Sequence, residues 1–172
     1  MAVLLCDTRQ QEGRHTAKNR WWLEHGVTIV SKKLDFGDYM TAGSNIAVDT
    51  KRDIQELVMD VGRDHARFVR EAERARAAGY RLIVLVEAPE RYNDRDELST
   101  WVSTVCRRCR GCNPSTVSGR RCRRGSKPMQ GGTLAKILGG LERNHGMRFE
   151  FAEKRNAARR VCEILGIEYE QT

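Results

Sequence analysis

Residues 35–51 read DFGDYMTAGSNIAVDTK, and this stretch determines how the flanking elements are expected to assemble. Two short arms flank an Ala-Gly-Ser turn at 42–44, which predicts a β-hairpin. Side chains two residues apart on a strand point to the same face of a sheet, so Asp49 and Lys51 share a face. The hairpin brings Asp38, in the first arm, beside them.

Outside the hairpin, the spacing of apolar residues alternates between strand-like and helix-like segments. Strands are predicted over 3–6, 27–30, 35–40, 45–50, 81–87 and 147–151, and helices over 15–25, 52–79, 94–105, 133–145 and 153–165. Gly62 is expected to break the second helix, and Gly166 to end the last one. The apolar run at 81–87 is typical of a strand covered on both faces. This order predicts one α/β domain over 1–172, with a mixed central sheet flanked by helices.

One segment, 106–128, holds the whole excess of positive charge, and we call it the basic insert. The chain has a net charge of +8, and the basic insert contains eight bases and no acid. Its bases are Arg107, Arg108, Arg110, Arg120, Arg121, Arg123, Arg124 and Lys127. Such a patch suits the phosphates of DNA or RNA, because phosphate contacts release bound counterions. The alternative is a solvated loop that only aids solubility.

Four of the six cysteines also lie in the basic insert, at Cys106, Cys109, Cys112 and Cys122. Four thiolates suit tetrahedral Zn²⁺, and neighbouring arginines favour the thiolate form. A short irregular insert buries too little apolar surface to fold alone, so bound zinc would supply the missing stability. The sequence therefore predicts a structural zinc knuckle. The alternative is an arginine-rich loop with incidental cysteines.

Asp38, Asp49 and Lys51 form a candidate catalytic group. Two carboxylates supply the hard oxygen ligands that Mg²⁺ prefers, and the metal polarises a phosphate and helps to generate hydroxide from a bound water. A lysine beside that water can orient it or stabilise the developing negative charge. An Asp-x-Lys pair alone is more common as a surface salt bridge. The apolar strand before it and the amphipathic helix after it favour the catalytic interpretation.

Three motifs resemble the nuclease domain of the XPF-type structure-selective endonucleases, within the restriction-endonuclease-like group that has a PD-(D/E)xK site. They are VLLCDTR at 3–9, Gly-Asp-Tyr at 37–39 and Val-Asp-Thr-Lys at 48–51. The run HARF at 65–68 makes the chain look closest to the small, single-domain members of phages and prophages. The resemblance implies a restriction-endonuclease-like fold and a Mg²⁺- or Mn²⁺-dependent endonuclease that cuts branched, flapped or junction DNA. It also implies a homodimer.

The resemblance further implies roles for individual residues of the candidate catalytic group. Asp38 and Asp49 would bind the metal ion, together with the backbone carbonyl of Thr50. Lys51 would position the attacking water. These assignments make the end of the hairpin the expected catalytic centre.

The resemblance also assigns roles to four further residues, and for three of them the sequence leaves a structural alternative open. By resemblance, Asp7 would be a supporting acid, while a strand-end carboxylate that caps the next turn is an equal alternative. Arg9 would contact a phosphate. His65 and Arg67 either touch the DNA backbone or belong to a solvated helix face.

The chain departs from the family pattern at several positions. The family's Glu-Arg-Lys is Asp-Thr-Lys at 49–51, and Gln10 replaces an acid. The exact spacing of the late acid falls on Gln55, with Asp53 and Glu56 beside it as alternatives. Two other functions therefore stay open. One is a catalytically weak, nuclease-like scaffold, and the other is a zinc-dependent nucleic-acid-binding protein in which the α/β body only supports the basic insert.

No apolar run is long enough to cross a bilayer, and residues 1–7 read as a buried strand rather than as a secretory signal. We therefore expect a cytoplasmic protein, in a bacterial or phage-infected cell by resemblance. Its expected partner is DNA, without a membrane or a nucleotide cofactor. The tandem helix-hairpin-helix module of the larger relatives is absent from this sequence, so the basic insert is expected to grip the DNA.

Overall fold

The computed structural model describes residues 3–9, 16–109, 122 and 127–171. Within these residues the strands are β1 (Val3–Asp7), β2 (Thr28–Lys32), β3 (Tyr39–Thr41), β4 (Ile46–Lys51), β5 (Arg81–Glu87) and β6 (Arg148–Ala152). The helices are α1 (Thr16–Glu24), α2 (Ile54–Val61), α3 (His65–Ala77), α4 (Thr104–Arg107), α5 (Gly131–His145) and α6 (Ala157–Leu165). Short 3₁₀ turns lie at Glu90–Tyr92, Asp96–Thr100 and Lys154–Asn156.

The strands form one mixed sheet, as the sequence predicted, and their order in it is β2-β1-β3-β4-β5-β6. β3 is antiparallel to β1 and to β4, whereas β1–β2, β4–β5 and β5–β6 are parallel pairs. The predicted hairpin is confirmed, because Tyr39 lies opposite Val48 and Met40 lies opposite Ala47. Since β3 alone runs the other way, β1, β4 and β5 all end at the same edge of the sheet.

Helices cover both faces of the sheet, and β5 shows how the core divides into two layers. Leu82, Val84 and Val86 belong to the layer formed with α2, α3 and α5. Leu85 belongs to the opposite layer, which is formed with α1 and α6. Six of the seven residues of β5 are buried, which confirms the prediction of a strand covered on both faces.

The helix boundaries follow local capping chemistry. Gly62 separates α2 from α3, as predicted. The Asp53 side chain accepts the backbone N–H of Glu56 at 2.7 Å and so caps the start of α2. Gly166 ends α6 with a left-handed φ of 68°, also as predicted. In the part of the chain that the structure describes, no helix has the length and apolar character that a bilayer span requires.

The predicted helix over 94–105 is wrong. The segment instead contains the 3₁₀ turn at Asp96–Thr100, an extended stretch and the short helix α4. Leu98 and Trp101 are buried against the start of α5, where a Cβ on Gly131 would come within 1.8 Å of the Leu98 carbonyl oxygen. This close tertiary contact overrides the helical spacing of the apolar residues.

A buried ion pair joins α1 to the end of β5. Lys18 Nζ contacts Glu87 Oε1, and the two side chains are 10% and 6% exposed. Glu87→Gln removes the counter-charge of a buried ammonium, so we expect the free energy of unfolding to fall by about 3–5 kcal/mol. Chemical denaturation measures this change.

The matched control for that substitution is Glu153→Gln. Glu153 pairs with Arg155, whose side chain is 77% exposed, so removing this pair should cost less than about 1 kcal/mol. Equal decreases of stability in the two variants would contradict a structural role for the Lys18–Glu87 pair.

Candidate functional site

A cleft of about 840 Å³ opens at the edge of the sheet where β1, β4 and β5 end. Eight acids among the described residues line it, and we call four of them, Asp38, Asp49, Asp60 and Glu71, the acidic cluster. Exposed bases also line the cleft, and we call them the basic rim: Arg9, Arg52, Arg67, Arg74 and Lys154. The structure thus brings the three predicted catalytic residues Asp38, Asp49 and Lys51 into one cleft.

Asp38 is held by backbone and side-chain contacts on three sides. Its N–H donates to the Val48 carbonyl at 2.7 Å, and its own carbonyl accepts the N–H of Asp7 at 2.9 Å. The backbone N–H and the hydroxyl of Thr50 both donate to Asp38 Oδ2, at 2.9 and 2.6 Å. Gly37 precedes it with a φ of +68° and donates its N–H to Glu71 Oε1 at 3.0 Å. Asp38 is therefore a preorganised carboxylate.

Lys51 lies between two buried carboxylates. Its Nζ is 2.7 Å from Asp49 Oδ2 and 2.8 Å from Asp60 Oδ2. The ammonium also lies 5.4 Å from the centroid of the Phe68 ring, within the range of a cation–π interaction. Asp49 and Lys51 share one face of β4, as the two-residue spacing predicted, and Asp60 reaches them from α2.

Burial raises the pKa of Asp49 to about 7; the Lys51 ammonium opposes this rise, and the negative charges of Asp38 and Glu71 add to it. Burial also disfavours the Lys51 ammonium, but Asp49 and Asp60 outweigh that effect and raise the pKa of Lys51. The lysine is therefore a permanent cation within the acidic cluster. The remaining negative charge favours the binding of a further cation.

Asp7 acts in the structure as a carboxylate that fixes the following loops. Its Oδ1 accepts the N–H of Leu34 at 3.2 Å, and its Oδ2 pairs with Arg9 Nε at 2.8 Å. The guanidinium of Arg9 also donates to the Leu34 carbonyl. Asp7 lines the cleft as well, so a supporting catalytic role stays a prediction. Arg9 lies at the cleft with a 57% exposed side chain, where a phosphate could reach it.

His65 and Arg67 differ in position although they are two residues apart. Arg67 lines the cleft and pairs with Asp60 Oδ1 at 3.1 Å, while its side chain stays 64% exposed. His65, the first residue of α3, is exposed, and its Nδ1 lies 3.2 Å from the carbonyl of Val61 at the end of α2. It is not among the described residues that line the cleft. Of the two, the structure therefore places Arg67 at the cleft, and a DNA contact stays a prediction for both residues.

Only part of the basic insert belongs to the described residues. Arg107, Arg108 and Lys127 are exposed. The predicted contacts Arg110, Arg120, Arg121, Arg123 and Arg124 lie outside the described residues, as does Cys112. Cys106 is buried, and Cys109 and Cys122 are half-buried. Because Cys112 belongs to the predicted zinc site, that site stays a prediction.

Gln55, which stands at the late acid position of the resembling family, anchors the segment that leads into the basic insert. Its Oε1 accepts the Ser103 hydroxyl at 3.1 Å, the Thr104 N–H at 3.1 Å and the Thr104 hydroxyl at 2.9 Å. Ser103 is the N-cap of α4, and its hydroxyl accepts the N–H of Val105. The amide therefore fixes the start of the insert to the first turn of α2.

Several residues of the cleft were not predicted from the sequence: Asp60, Glu71 and three bases of the basic rim, Arg52, Arg74 and Lys154. Asp60 is a carboxylate on the buried side of α2, and an acid that interrupts an apolar stripe is the pattern that could have identified it. Arg52 directly follows Lys51, so its place beside the motif could have indicated it. Arg74 and Lys154 come from separate parts of the chain, and tertiary packing alone brings them to the cleft.

The donor set of the cleft fits a hard divalent cation. Among the described residues, no three His, Cys, Asp or Glu side chains form a metal-binding group. Asp38 and Asp49 would therefore need ligands from water and from a backbone carbonyl such as that of Thr50. Mg²⁺ binds in this way, with one or two carboxylates and several waters.

No family model matches the chain, and no curated protein matches it either. Among solved structures, XPF from Aeropyrum pernix superposes with a TM-score of 0.59 at 17% identity, over 96% of this chain and 66% of that one. XPF from Aeropyrum pernix in complex with DNA gives a TM-score of 0.57 at 18% identity, over 96% and 63%. The chain thus spans about two thirds of these proteins. At such identities the comparison shows the fold, which confirms the predicted restriction-endonuclease-like architecture.

Gly37 provides a test of how the backbone positions Asp38. A Cβ at Gly37 would lie 3.1 Å from the Val48 carbonyl oxygen and 3.2 Å from the Ala47 Cβ. Gly37→Ala should therefore cost more than the roughly 1–2 kcal/mol that a left-handed residue costs by itself, and should weaken Mn²⁺ binding about 10-fold. Chemical denaturation and calorimetric titration measure the two effects.

Gly43→Ala is the matched control for Gly37→Ala. Gly43 has a φ of +81°, and a Cβ there would meet nothing within 4 Å. This variant should show the backbone cost alone and bind Mn²⁺ like the wild type. Identical behaviour of the two variants would refute the proposed constraint on Asp38.

Proposed function

We propose that this protein is a metal-dependent DNA endonuclease that hydrolyses phosphodiester bonds. The observation that carries the proposal is the convergence of Asp38, Asp49 and Lys51 in one cleft, on a fold shared with XPF. A structural role alone does not explain two carboxylates and a buried lysine at the ends of covered strands. Perturbed ionisable groups in a cleft are typical of catalytic sites.

Asp38 and Asp49 would hold Mg²⁺ or Mn²⁺, with the Thr50 carbonyl as a further oxygen ligand. Thr50 also orients the Asp38 carboxylate, because its N–H and its hydroxyl both donate hydrogen bonds to Asp38 Oδ2. When bound, the metal polarises the scissile phosphate and lowers the pKa of a coordinated water. The chain's contribution is to keep the two carboxylates fixed and only partly exposed to solvent.

Lys51 would orient the attacking water or stabilise the negative charge that develops on the phosphate. Its ammonium lies 2.7 Å from Asp49 Oδ2, so it would lie close to a metal ion bound by Asp49 and to the water on that ion. Because its pKa is raised, Lys51 stays protonated and serves as a hydrogen-bond donor and a positive charge, not as a general base. A fixed donor at the reacting phosphate stabilises the transition state more than a mobile one does.

The substrate we propose is DNA, and XPF from Aeropyrum pernix is known in complex with DNA. The basic rim would contact phosphates of DNA bound at the cleft, and the basic insert would extend this surface. A preference for branched, flapped or junction DNA and the formation of a homodimer follow from the family resemblance and belong to the same proposal.

A cleavage assay tests the catalytic proposal. We expect the wild type to cut labelled fork, flap or linear DNA with Mg²⁺ or Mn²⁺ and to be inactive with EDTA. Asp49→Ala and Lys51→Met should each lower the single-turnover rate at least about 100-fold, because each removes a group that acts in the transition state. Gel analysis of the products over time measures these rates.

Asp96→Ala is the matched control, since Asp96 is 90% exposed and does not line the cleft. It should cut like the wild type. A wild type that binds DNA without cutting it under any metal would point to the nucleic-acid-binding scaffold instead, and an Asp49→Ala variant that cuts normally would also refute the proposed site.

DNA binding tests the basic rim separately from catalysis. The double variant Arg52→Gln/Lys154→Gln should bind duplex DNA more weakly in Ca²⁺. It should also lower the salt dependence of log K by about one unit for each phosphate that the variant no longer neutralises. Fluorescence anisotropy over a range of salt concentrations measures both quantities.

The control for the basic rim makes the same charge change on another surface. Arg81 and Lys136 are exposed and do not line the cleft. Arg81→Gln/Lys136→Gln should retain the wild-type slope. An equal decrease of slope in both double variants would show that overall charge, not the basic rim, governs binding.

A further inference from the structure

We infer that Asp60 is a positioning residue that holds the Lys51 ammonium in its reactive place. The inference rests on the proposed nuclease function, and Asp60 was not among the residues that the sequence or the resemblance identified. It acts through Lys51 and does not touch the substrate itself.

The geometry of Asp60 is that of a buried anchor. It lies in the last turn of α2 and is only 5% exposed. Its Oδ2 is 2.8 Å from Lys51 Nζ, and its Oδ1 is 3.1 Å from the guanidinium of Arg67. Two cations therefore hold the two oxygens, and the plane of the carboxylate is fixed.

Asp60 is needed because the Asp49 carboxylate would have to interact with both Lys51 and the metal ion. Asp49 contacts Lys51 at 2.7 Å, and the same carboxylate is a proposed ligand of the catalytic metal ion. A cation that draws charge from Asp49 weakens its attraction for Lys51. Lys51 is only 9% exposed, so water cannot replace the missing counter-charge. Asp60 then supplies the counter-charge that keeps the ammonium in the cleft.

Asp60 and the proposed metal ligands belong to different structural elements. Asp60 belongs to α2, whereas Asp38 and Asp49 belong to the hairpin of β3 and β4. Leu57, Val58 and Val61 pack α2 into the core on either side of it. The position of Asp60 is therefore set by the packing of α2 and not by the hairpin that carries the proposed metal ligands.

A double-mutant cycle tests the inference. Asp60→Asn keeps the shape of the side chain and removes its charge. It should lower kcat about 10- to 100-fold, while DNA affinity in Ca²⁺ should not fall, because the substitution also releases Arg67 of the basic rim from its pairing with Asp60. In the Lys51→Met background, the same substitution should change the single-turnover rate by no more than about twofold, because its target is absent.

The matched control is Asp64→Asn. Asp64 precedes α3, its side chain makes no capping hydrogen bond, and it pairs only loosely with Arg63 at 3.7 Å. This variant should keep the wild-type kcat. An Asp60→Asn variant with wild-type kcat, or one with the same decrease in the Lys51→Met background, would overturn the inference.

A chemical measurement separates this inference from the nuclease proposal. Brief acetylation followed by mass spectrometry reports how accessible each lysine is. Lys51 should be protected in the wild type and modified several-fold faster in Asp60→Asn, while Lys154 reacts equally in both. Unchanged protection of Lys51 would overturn the positioning role. A wild type that cuts no DNA would refute the nuclease function while leaving this result valid.

Should Asp60→Asn fail to fold, Asp60→Glu replaces it in both experiments. Glu keeps the negative charge but moves it by one methylene, so kcat should fall several-fold with unchanged DNA affinity. Wild-type kcat in this variant would show that the position of the carboxylate does not matter and would overturn the inference.

Discussion

β4 and β5 lie side by side in parallel in the middle of the sheet, with helices packed on both of their faces. Ionisable side chains cannot be accommodated along such strands without a partner, because apolar atoms surround each position. Asp49 and Lys51 occur only in the last three residues of β4, and Glu87 is the last residue of β5. The position of the cleft is therefore a consequence of the sheet topology.

Buried charges at this edge contribute unfavourably to the free energy of folding, and the rest of the fold must offset that cost. Replacing a buried ion pair with apolar residues of similar volume is often neutral or stabilising, so the group of Asp49, Lys51 and Asp60 is poorly explained by stability. The carboxylates Asp38 and Glu71 add negative charge and raise the pKa of Asp49 further. A site that retains such unfavourable charge is more simply explained by chemistry than by folding.

The hairpin and the covered strand β5 could be predicted from the sequence because each depends on a few consecutive residues. For the same reason, Asp38, Asp49 and Lys51 were correctly placed together. The contact between Lys51 and Asp60 depends instead on how α2 packs against the sheet, which no local spacing encodes. The helix predicted over 94–105 failed for a related reason, since Gly131 decides the path of that segment from far along the chain.

α2 contacts both the segment that leads into the basic insert and Lys51 of the cleft, two features that the sequence did not connect. In its first turn, Gln55 accepts three hydrogen bonds from the segment that begins the basic insert. In its last turn, Asp60 holds Lys51. The segment that leads into the basic insert and Lys51 are thus bound to opposite ends of the same helix of eight residues. Because a single helix contacts both, the position of Lys51 in the cleft and the path of the chain into the basic insert depend on the same packing of α2 against the sheet.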